Sequence, residues 1–377
     1  MNTQCPIVLV HGILGYGSRE LLGFSYWGQA LQAPSPVPVL EASVGPLSSH
    51  HDRACELYAQ IKGLPVDYGE EHAAGAGHAR FGKDYTGRGL YPQWSAENPI
   101  HLVGHSMGGP TIRMLQHLLD IKFWQKDNSA SWIKSVTGIS GVFNGSTLTH
   151  MFCDAETGKV TKPLGAVLGK VANFAAGIVG SKLDRLYDFD LEHWGLTRKS
   201  GESLVDYLAR IDQSRLFREI DNAVYDLTIH AALELNALIP TFPETYYFSF
   251  VTENTSALPL LRLHGPGTDI SGLFLASSAY MGMYPFFPKF YEGFNSADWR
   301  ENDGAVPSYS QMYPRLSGRH LVGGDLDTGE GEFQPGQWYW KYLHDRDHLN
   351  VVMLPKPFQA DWQKAFYADL FNMLAGL

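Results

Sequence analysis

The feature that most constrains the fold is the stretch NPIHLVGHSMGGPTIRMLQHLL, residues 98–119 of a 377-residue chain. A short apolar run over residues 100–103 indicates a buried strand, and the glycines over 104–109 indicate a tight turn. Pro110 is typical of the first turn of a helix, and the apolar residues after it fall on one helical face. The stretch therefore predicts a strand that passes through a sharp turn into a helix.

Strands and helices alternate along much of the chain. CPIVLVHGILGYG at 5–17 is again an apolar run followed by a Gly-rich turn, WIKSVTGISG at 132–141 and TYYFSFVTE at 245–253 indicate further strands, and FQADWQKAFYADLFNMLAGL at 358–377 indicates a closing helix. This alternation predicts an α/β fold with a mostly parallel central sheet flanked by helices. A hydrophobic content of 44% can fill one large core, and we expect a single domain over residues 1–377.

The alternation breaks between residues 145 and 245, which we interpret as an insertion over the carboxyl edge of the sheet. Within it, residues 164–178 place apolar side chains at helical spacing, with small and polar residues on the opposite face. Such a stripe is typical of ordinary core, but its many small residues also suit a lid that moves over a cavity. A second aromatic block at 280–294 is expected to line the same cavity.

Composition excludes several classes of protein. The formal net charge is −10 and no basic cluster interrupts it, so no nucleic-acid partner is expected. Three cysteines, an odd number without a Cys-x-x-Cys pair, provide no disulfide framework. No apolar run of membrane-spanning length and no signal-like segment occurs, so we expect a soluble protein whose export signal, if it is secreted, has been removed.

Gly104-His105-Ser106-Met107-Gly108 fits the G-x-S-x-G pattern of a nucleophile elbow. In such an elbow the serine occupies a strained turn so that its hydroxyl projects from the sheet. The strand and the helix then approach so closely that flanking residues larger than Gly or Ala hardly fit. The strand before the pattern and the helix after it make Ser106 the predicted nucleophile.

The first strand ends in His11-Gly12-Ile13, which would turn the backbone N–H of Ile13 towards the elbow. With the N–H of Met107, it would form an oxyanion hole for the negative charge that develops in acyl transfer. We interpret His11 as a structural hydrogen-bonding residue, because the order serine, acid, histidine places the base late in the chain.

Two late histidines and two acids are candidates for the remaining catalytic roles. HDRDHLNVVML offers His344 and His348 as the base, and WRENDGAVP offers Asp303, with Asp298 as its rival. An Asp-Gly turn after a strand holds a carboxylate rigidly, as the orientation of an imidazole requires. Spacing favours His348 and Asp303 without excluding the other two.

The stretch VDYGEEHAAGAGHARFG at 66–82 holds His72 and His78 six residues apart among glycines and alanines. The two imidazoles are either metal ligands or exposed side chains of a flexible loop, and the spacing alone leaves both interpretations open.

Several long motifs closely resemble those of the thermoalkalophilic zinc-binding bacterial lipases and their staphylococcal relatives. They are VGPLSSHHDRACELYAQIKGLPVDYGEEHAAGAGHARFG, GFSYWGQ, YDFDLEHWGLTRKSGES, YDLT, TYYFSF, NDGAV and DHLNVV. The similarity runs nearly end to end. It implies an α/β-hydrolase fold with an inserted helical lid, a triad of Ser106, Asp303 and His348, and oxyanion donors at Ile13 and Met107.

The resemblance also implies a bound zinc ion, with ligands at Asp52, His72, His78 and Asp226. Two neutral imidazoles and two carboxylates make a closed, four-coordinate site, which is structural because it leaves no position open for water. Calcium is different. Family members with a calcium site use a Glu two residues past the catalytic histidine and an Asp-Pro shortly after it, where this chain has Asn350 and LPKP. Two anionic donors are therefore missing, which argues against calcium there.

These observations predict a secreted carboxylic ester hydrolase of lipase type that acts on acylglycerols at lipid–water interfaces. Within the same fold, a phospholipase or a polyester hydrolase is the main alternative. A non-catalytic scaffold that binds a lipid through its aromatic cavity is the alternative from another class. The sequence does not determine acyl-chain length, head-group preference or oligomeric state.

Overall fold

The computed structural model describes residues 5–18, 25–162, 188–258, 260–284, 295–315, 319–327, 332–353 and 359–377. Its strands, numbered in chain order, are β1 (Ile7–Val10), β2 (Val39–Ala42), β3 (Pro65–Asp67), β4 (Phe81–Asp84), β5 (Ile100–His105), β6 (Ile133–Ile139), β7 (Tyr246–Glu253), β8 (Thr255–Leu258), β9 (Leu263–Pro266), β10 (Leu321–Asp325) and β11 (Gln337–His344). The α-helices are α1 (His50–Lys62), α2 (Glu70–Ala76), α3 (Gly108–Asp120), α4 (Leu204–Asp212), α5 (Ala223–Asp226), α6 (Ile229–Leu238), α7 (Leu275–Gly282), α8 (Ser308–Gln311) and α9 (Ala360–Ala375).

Seven strands form the central sheet in the order β10-β11-β7-β6-β5-β1-β2. Every neighbouring pair in this sheet is parallel. The carboxyl ends of all seven strands therefore lie at one edge, and the loops that follow β1, β5, β7 and β11 converge there. The prediction of a mostly parallel sheet is confirmed, and β3–β4 and β8–β9 form two small antiparallel ribbons outside it.

Helices cover both faces of the sheet. Along β1, Val8 and Val10 belong to the apolar cluster that includes α1 and α3, whereas Ile7 and Leu9 belong to the cluster that includes α9. Alternate residues of a strand point to opposite faces, and all four are fully buried. A strand buried on both faces reads as a continuous apolar run, which explains the IVLV pattern.

The described part of the predicted insertion builds its own small core. Phe189, Leu191 and Leu208 lie in an apolar cluster that also takes in Leu47 from the segment before α1. The predicted lid helix at 164–178 lies outside the described residues, as do residues 285–294 of the aromatic block. The single-domain organisation and the lid stay predictions.

Two simpler expectations concern cysteines and membranes. Cys5, Cys55 and Cys153 are not joined in disulfide bonds, and the latter two are buried. Throughout the described ranges, no helix is both long enough and apolar enough to cross a membrane.

Candidate active site and metal centre

Ser106 lies on a strained turn between β5 and α3. Its φ of 55° is in the left-handed region that side chains rarely adopt. A Cβ added to Gly104 would lie 2.3 Å from the carbonyl carbon of Gly108, and one added to Gly108 would lie 2.2 Å from the carbonyl oxygen of Val10. Both glycines are therefore required by close backbone approach, as the elbow pattern predicts.

Three side chains from distant parts of the chain meet at this turn. His348 Nε2 lies 2.8 Å from Ser106 Oγ, and His348 Nδ1 lies 2.7 Å from Asp303 Oδ2. The backbone N–H of His348 also donates to the carbonyl oxygen of Asp303 at 2.9 Å. Because an Asp carboxylate only accepts, Nδ1 carries the proton and Nε2 accepts from the serine hydroxyl.

The carboxylate of Asp303 is fully buried and fully hydrogen-bonded. Its Oδ2 accepts from the hydroxyl of Thr252 at 2.7 Å and from the amide of Gln311 at 3.0 Å, in addition to the imidazole. Its Oδ1 accepts from the backbone N–H groups of Ala305 and Val306 at 3.0 and 2.8 Å. These donors fix the carboxylate in one orientation and stabilise its charged form.

The rival residues lie elsewhere. His344 Nδ1 lies 3.3 Å from Glu253 Oε2, and its side chain is 66% exposed. Asp298 accepts from the side chain of Asn295 at 3.3 Å in an exposed turn. The structure brings Asp303 and His348, and not these two, to Ser106.

The loop after β1 lies directly against the elbow. A Cβ on Gly12 would come within 2.7 Å of Ser106 Cβ. The backbone N–H groups of Ile13 and Met107 have no hydrogen-bond partner among the residues that the structure describes. Both N–H groups are thus available as donors on the loops that flank Ser106. That of Met107 lies at the start of α3, where the first backbone N–H groups of a helix have no partner within the helix.

His11 holds this loop in place. Its Nδ1 donates to the carbonyl of Gly12 at 2.8 Å, and its Nε2 accepts from the N–H of Val44 at 3.1 Å. Burial, reinforced by the Arg53 guanidinium, lowers the pKa of His11 to about 3. The imidazole is therefore neutral and structural, in line with its interpretation from the sequence.

A second cluster of histidines and acids lies apart from Ser106. One ligand atom from each of Asp52, His72, His78 and Asp221 can be chosen so that all four lie within 4.8 Å of one another. His72 Nε2 lies 3.1 Å from Asp52 Oδ1 and 3.3 Å from Asp221 Oδ2, and His78 Nε2 lies 3.2 Å from Asp221 Oδ2. Ligand atoms at about 2.1 Å from a tetrahedral metal ion would stand about 3.4 Å apart, close to these separations.

The fourth residue of the cluster is Asp221, and not Asp226, the ligand that the resemblance implies. Asp226 is the last residue of α5, and its Oδ2 accepts from the backbone N–H of His50 at the start of α1. Burial raises the pKa of Asp226 to about 8. Asn222 caps α5 with its side chain, which leaves Asp221 just outside the helix, facing the histidines.

Two buried atoms of the cluster have no hydrogen-bond partner, and they provide a test of metal binding. His78 Nδ1 donates to the carbonyl of Ala79 at 2.8 Å, so Nε2 presents a lone pair. That lone pair faces Asp221 Oδ2, and neither atom has a hydrogen bond among the described residues. Two acceptors face each other favourably only when a proton or a metal ion lies between them, and the convergence of two imidazole nitrogens and two carboxylates on one point fits a metal ion.

His193 braces the cluster, although sequence reasoning did not single it out. Its Nε2 donates to Asp52 Oδ2 at 3.1 Å, and its carbonyl accepts from the N–H of Ala79 at 2.8 Å. The ring is almost fully buried and packs against His78 with centroids 5.1 Å apart. Its only sequence signal is its place in the motif YDFDLEHWGLTRKSGES.

At the position where some family members bind calcium, the side chains of this chain are hydrogen-bonded to backbone groups. Asn350 Oδ1 accepts from the N–H of Asp347 at 3.1 Å. Asp347 Oδ1 accepts from the N–H groups of Leu349 and Asn350, and Oδ2 accepts from that of Ser271. The LPKP segment lies outside the described residues.

A seven-stranded parallel sheet whose first turn and nucleophile elbow meet at its carboxyl edge defines the α/β-hydrolase class. Within that class, residues 3–373 match the family described as "Lipase-like, C-terminal domain". The chain belongs to this family, and its resemblance to staphylococcal lipases is confirmed.

Three relatives illustrate the similarity. "Lipase 1" of Staphylococcus aureus is 33% identical over 381 aligned residues, which cover 93% of this chain and 51% of that protein. The chain thus spans about half the length of the curated relatives that it matches. Among solved structures, EstA from Clostridium botulinum has a TM-score of 0.85 at 35% identity and covers 99% of this chain and 88% of that one. Lipase 1 from Pelosinus fermentans has a TM-score of 0.82 at 32% identity, over 100% and 99% of the two chains.

Proposed function

We propose that the protein is a carboxylic ester hydrolase of lipase type, with Ser106 as nucleophile, His348 as general base and Asp303 as the acid that orients it. The observation that carries the proposal is the unbroken series of hydrogen bonds from Ser106 Oγ through His348 to Asp303, at 2.8 and 2.7 Å. A buried serine–histidine–aspartate series of this geometry supports nucleophilic acyl transfer.

In the first half of the reaction, Ser106 Oγ attacks the carbonyl carbon of the ester while His348 Nε2 takes the hydroxyl proton. The imidazole becomes positively charged, and the buried carboxylate of Asp303 stabilises that charge through Nδ1–H. The backbone N–H groups of Ile13 and Met107 donate to the oxyanion. Each such donor typically contributes on the order of a hundredfold or more in rate.

Collapse of the tetrahedral intermediate completes the first half. His348 Nε2–H gives its proton to the departing alcohol oxygen, and the acyl group stays on Ser106 as an ester. In the second half, the neutral imidazole takes a proton from water, whose oxygen attacks the acyl carbonyl. The second tetrahedral intermediate then collapses: the bond from the acyl carbon to Ser106 Oγ breaks, His348 Nε2–H returns its proton to Ser106 Oγ, and the carboxylic acid leaves.

We also infer that the metal ion is zinc and that it is structural. Asp52, His72, His78 and Asp221 supply two imidazole nitrogens and two carboxylate oxygens, a donor set that suits zinc. A zinc ion bound there would only cross-link the segments that hold its ligands, because four protein ligands leave no coordination position open for water or substrate. The ligands come from α1, from α2 and its C-terminal loop, and from the segment before α5, so the ion would tie residues 188–226 to the sheet.

Acylglycerols are the proposed substrates, and two features support an apolar acyl group. Two of the relatives described above are named lipases, and the third is EstA. The ring of Phe274 stands edge-on to the imidazole of His348, with centroids 6.1 Å apart, and provides an apolar wall beside the reacting atoms. Secretion and action at lipid–water interfaces remain predictions from the resemblance.

The decisive experiment replaces Ser106 by Ala and measures hydrolysis of a p-nitrophenyl ester together with labelling by a fluorophosphonate probe. We expect both to be abolished. The matched control is Ser135→Ala, because Ser135 is a buried serine on β6 whose Oγ lies 2.8 Å from the Nδ1 of His101. The control should retain activity and labelling. A Ser106→Ala variant with most of its activity, or wild-type protein that the probe does not label, would refute the proposal.

A panel of substrates distinguishes the lipase from its alternatives. Triacylglycerol emulsions, phosphatidylcholine vesicles and an aliphatic polyester film present the same ester chemistry with different head groups. We expect the largest kcat/KM on triacylglycerol. A larger value on the phospholipid or the polyester would assign one of the alternative activities to the same residues.

A further inference from the structure

The hydroxyl of Tyr26 lies between the two loops that flank Ser106. It accepts from the backbone N–H of Gly12 at 3.0 Å, and it lies 2.6 Å from the Nδ1 of His105. Tyr26 is buried, and no residue of the proposed reaction mechanism is bonded to it directly. Its hydroxyl nevertheless joins the end of β1 to the end of β5.

The tautomer of His105 gives this connection a direction. His105 Nε2 lies 2.9 Å from the backbone carbonyl oxygen of His348, which can only accept, so Nε2 carries the proton. Nδ1 is then an acceptor, and the Tyr26 hydroxyl donates to it. Burial and the neighbouring His348 hold the pKa of His105 well below its ordinary value, so the imidazole stays neutral.

Three hydrogen bonds therefore run in one direction: from Gly12 N–H to Tyr26, from Tyr26 O–H to His105, and from His105 Nε2–H to the carbonyl of His348. Both ends of this series are backbone groups that belong to, or directly precede, a residue of the proposed mechanism. Gly12 precedes the oxyanion donor Ile13, and His348 is the proposed base itself.

Resting on the proposed ester hydrolysis, we propose that Tyr26 is a positioning residue for that reaction. Through His105 it sets the distance between the loop that carries the oxyanion donor and the backbone of His348, on either side of the nucleophile. Tyr26 does not touch the substrate. A shift of one of these loops would misplace a donor that must meet the transition state within a few tenths of an ångström.

The test compares Tyr26→Phe with a closely matched control, Tyr247→Phe. Like Tyr26, Tyr247 is buried, and its hydroxyl accepts from a backbone N–H, that of Phe242, and donates to a side chain, that of Gln116, both at 2.9 Å. Tyr247 lies near the amino end of β7, away from the elbow. The two variants therefore remove the same chemistry from opposite edges of the sheet.

We expect both variants to lower the melting temperature by similar amounts, because each leaves buried polar groups without a partner. Only Tyr26→Phe should lower kcat on p-nitrophenyl butyrate, by about tenfold to a hundredfold, with KM nearly unchanged. The rate of fluorophosphonate labelling should fall with kcat. If Tyr26→Phe keeps kcat within twofold of wild type, or if Tyr247→Phe loses as much, Tyr26 is merely structural and the proposal is overturned.

A second variant keeps the proposal testable if Tyr26→Phe does not fold. His105→Gln can still donate from its amide to the carbonyl of His348, but it offers nothing at the position of Nδ1. It should lose a similar factor in kcat, and the double variant should lose no more than the larger single change. Losses that multiply would contradict a continuous series. Absence of labelling at Ser106 in the wild-type protein would instead refute the ester hydrolysis on which the inference rests.

Discussion

The two histidine–aspartate clusters of this protein differ in how their acceptors are satisfied. At the proposed triad, the carboxylate of Asp303 accepts from five donors, and both nitrogens of His348 are bonded. In the metal cluster, Asp221 Oδ2 and His78 Nε2 are buried, face each other and have no hydrogen bond within the described chain. The triad is complete in protein atoms, whereas the metal cluster has a surplus of acceptors.

This difference indicates what each cluster needs. A carboxylate with five donors keeps its orientation while the imidazole beside it takes up and releases a proton, so the proposed triad requires only a substrate. Two facing acceptors that are buried without a donor, such as Asp221 Oδ2 and His78 Nε2, are stable only when a cation lies between them. Residue types alone do not separate the two cases, because both clusters consist of histidine and aspartate.

The largest expected effect comes from removing the carboxylate of the proposed triad. Asp303→Asn should lower kcat by about 10⁴-fold, the factor typical of a triad aspartate, because the amide disturbs the imidazole tautomer. Hydrolysis of a p-nitrophenyl ester measures it. The matched control is Asp347→Asn, since Asp347 is also a buried carboxylate in the adjoining loop but, among the described residues, accepts from backbone N–H groups and from no side chain. Equal losses in the two variants would show that Asp303 has no special role.

Removal of the metal ion should have the next largest effect, and the quantity that it lowers should be the stability of the folded state. An ion present at a thousand times its Kd stabilises the folded state by about 4 kcal/mol, so a strong chelator should lower the melting temperature by several degrees. Elemental analysis should find one zinc per chain in wild type and none in the double variant His72→Ala/His78→Ala. His230→Ala, which removes a partly exposed histidine paired with Glu234, should keep the ion. Wild-type protein without zinc, and without a response to the chelator, would overturn the assignment.

The fourth ligand can be tested by a pair of aspartates from one short segment. Asp221→Asn should weaken zinc binding by more than about a hundredfold, because it removes a ligand charge rather than an outer hydrogen bond. Asp226→Asn should leave zinc binding within a fewfold of wild type, since an Asn side chain can still accept from the N–H of His50. Competition with a chromophoric chelator measures both affinities. If Asp226→Asn weakened zinc binding more than Asp221→Asn did, Asp226 would be the fourth ligand, as the resemblance implies.

The sequence predicted the elements that follow from local rules. Gly104 and Gly108 flank Ser106 because no side chain fits where strand and helix approach, and this steric requirement is visible in five residues. The fold class was equally accessible, because the apolar run of β1 and the elbow after β5 both indicate buried parallel strands. The catalytic role of Ser106 stays a prediction until activity is measured.

The sequence does not decide in the same way between candidate residues that lie close together in the chain. Asp298 and Asp303, or His344 and His348, differ in which loop holds them near Ser106, and spacing does not encode that. The resemblance implies Asp226 as a ligand, whereas the cluster in the structure contains Asp221, and the reason is related. The segment IDNAVYDLT holds two acids, and only the helix start at Asn222 determines which acid faces the histidines.

His193 offers the finest test of the difference between the clusters, because it donates to a carboxylate of the metal cluster from outside it. Its Nε2–H orients Asp52 Oδ2, and its carbonyl holds the N–H of Ala79, next to His78. His193→Leu removes the side-chain hydrogen bond and the ring but keeps the backbone bond to Ala79, so we expect zinc affinity to fall by about tenfold, the lower end of the range for groups that orient a ligand. His193→Gln should recover most of this loss, because its amide can donate to the same oxygen. If both variants bind zinc like wild type, the orientation of Asp52 is set by the ion itself; if both lose equally, the ring packing against His78 matters more than the hydrogen bond.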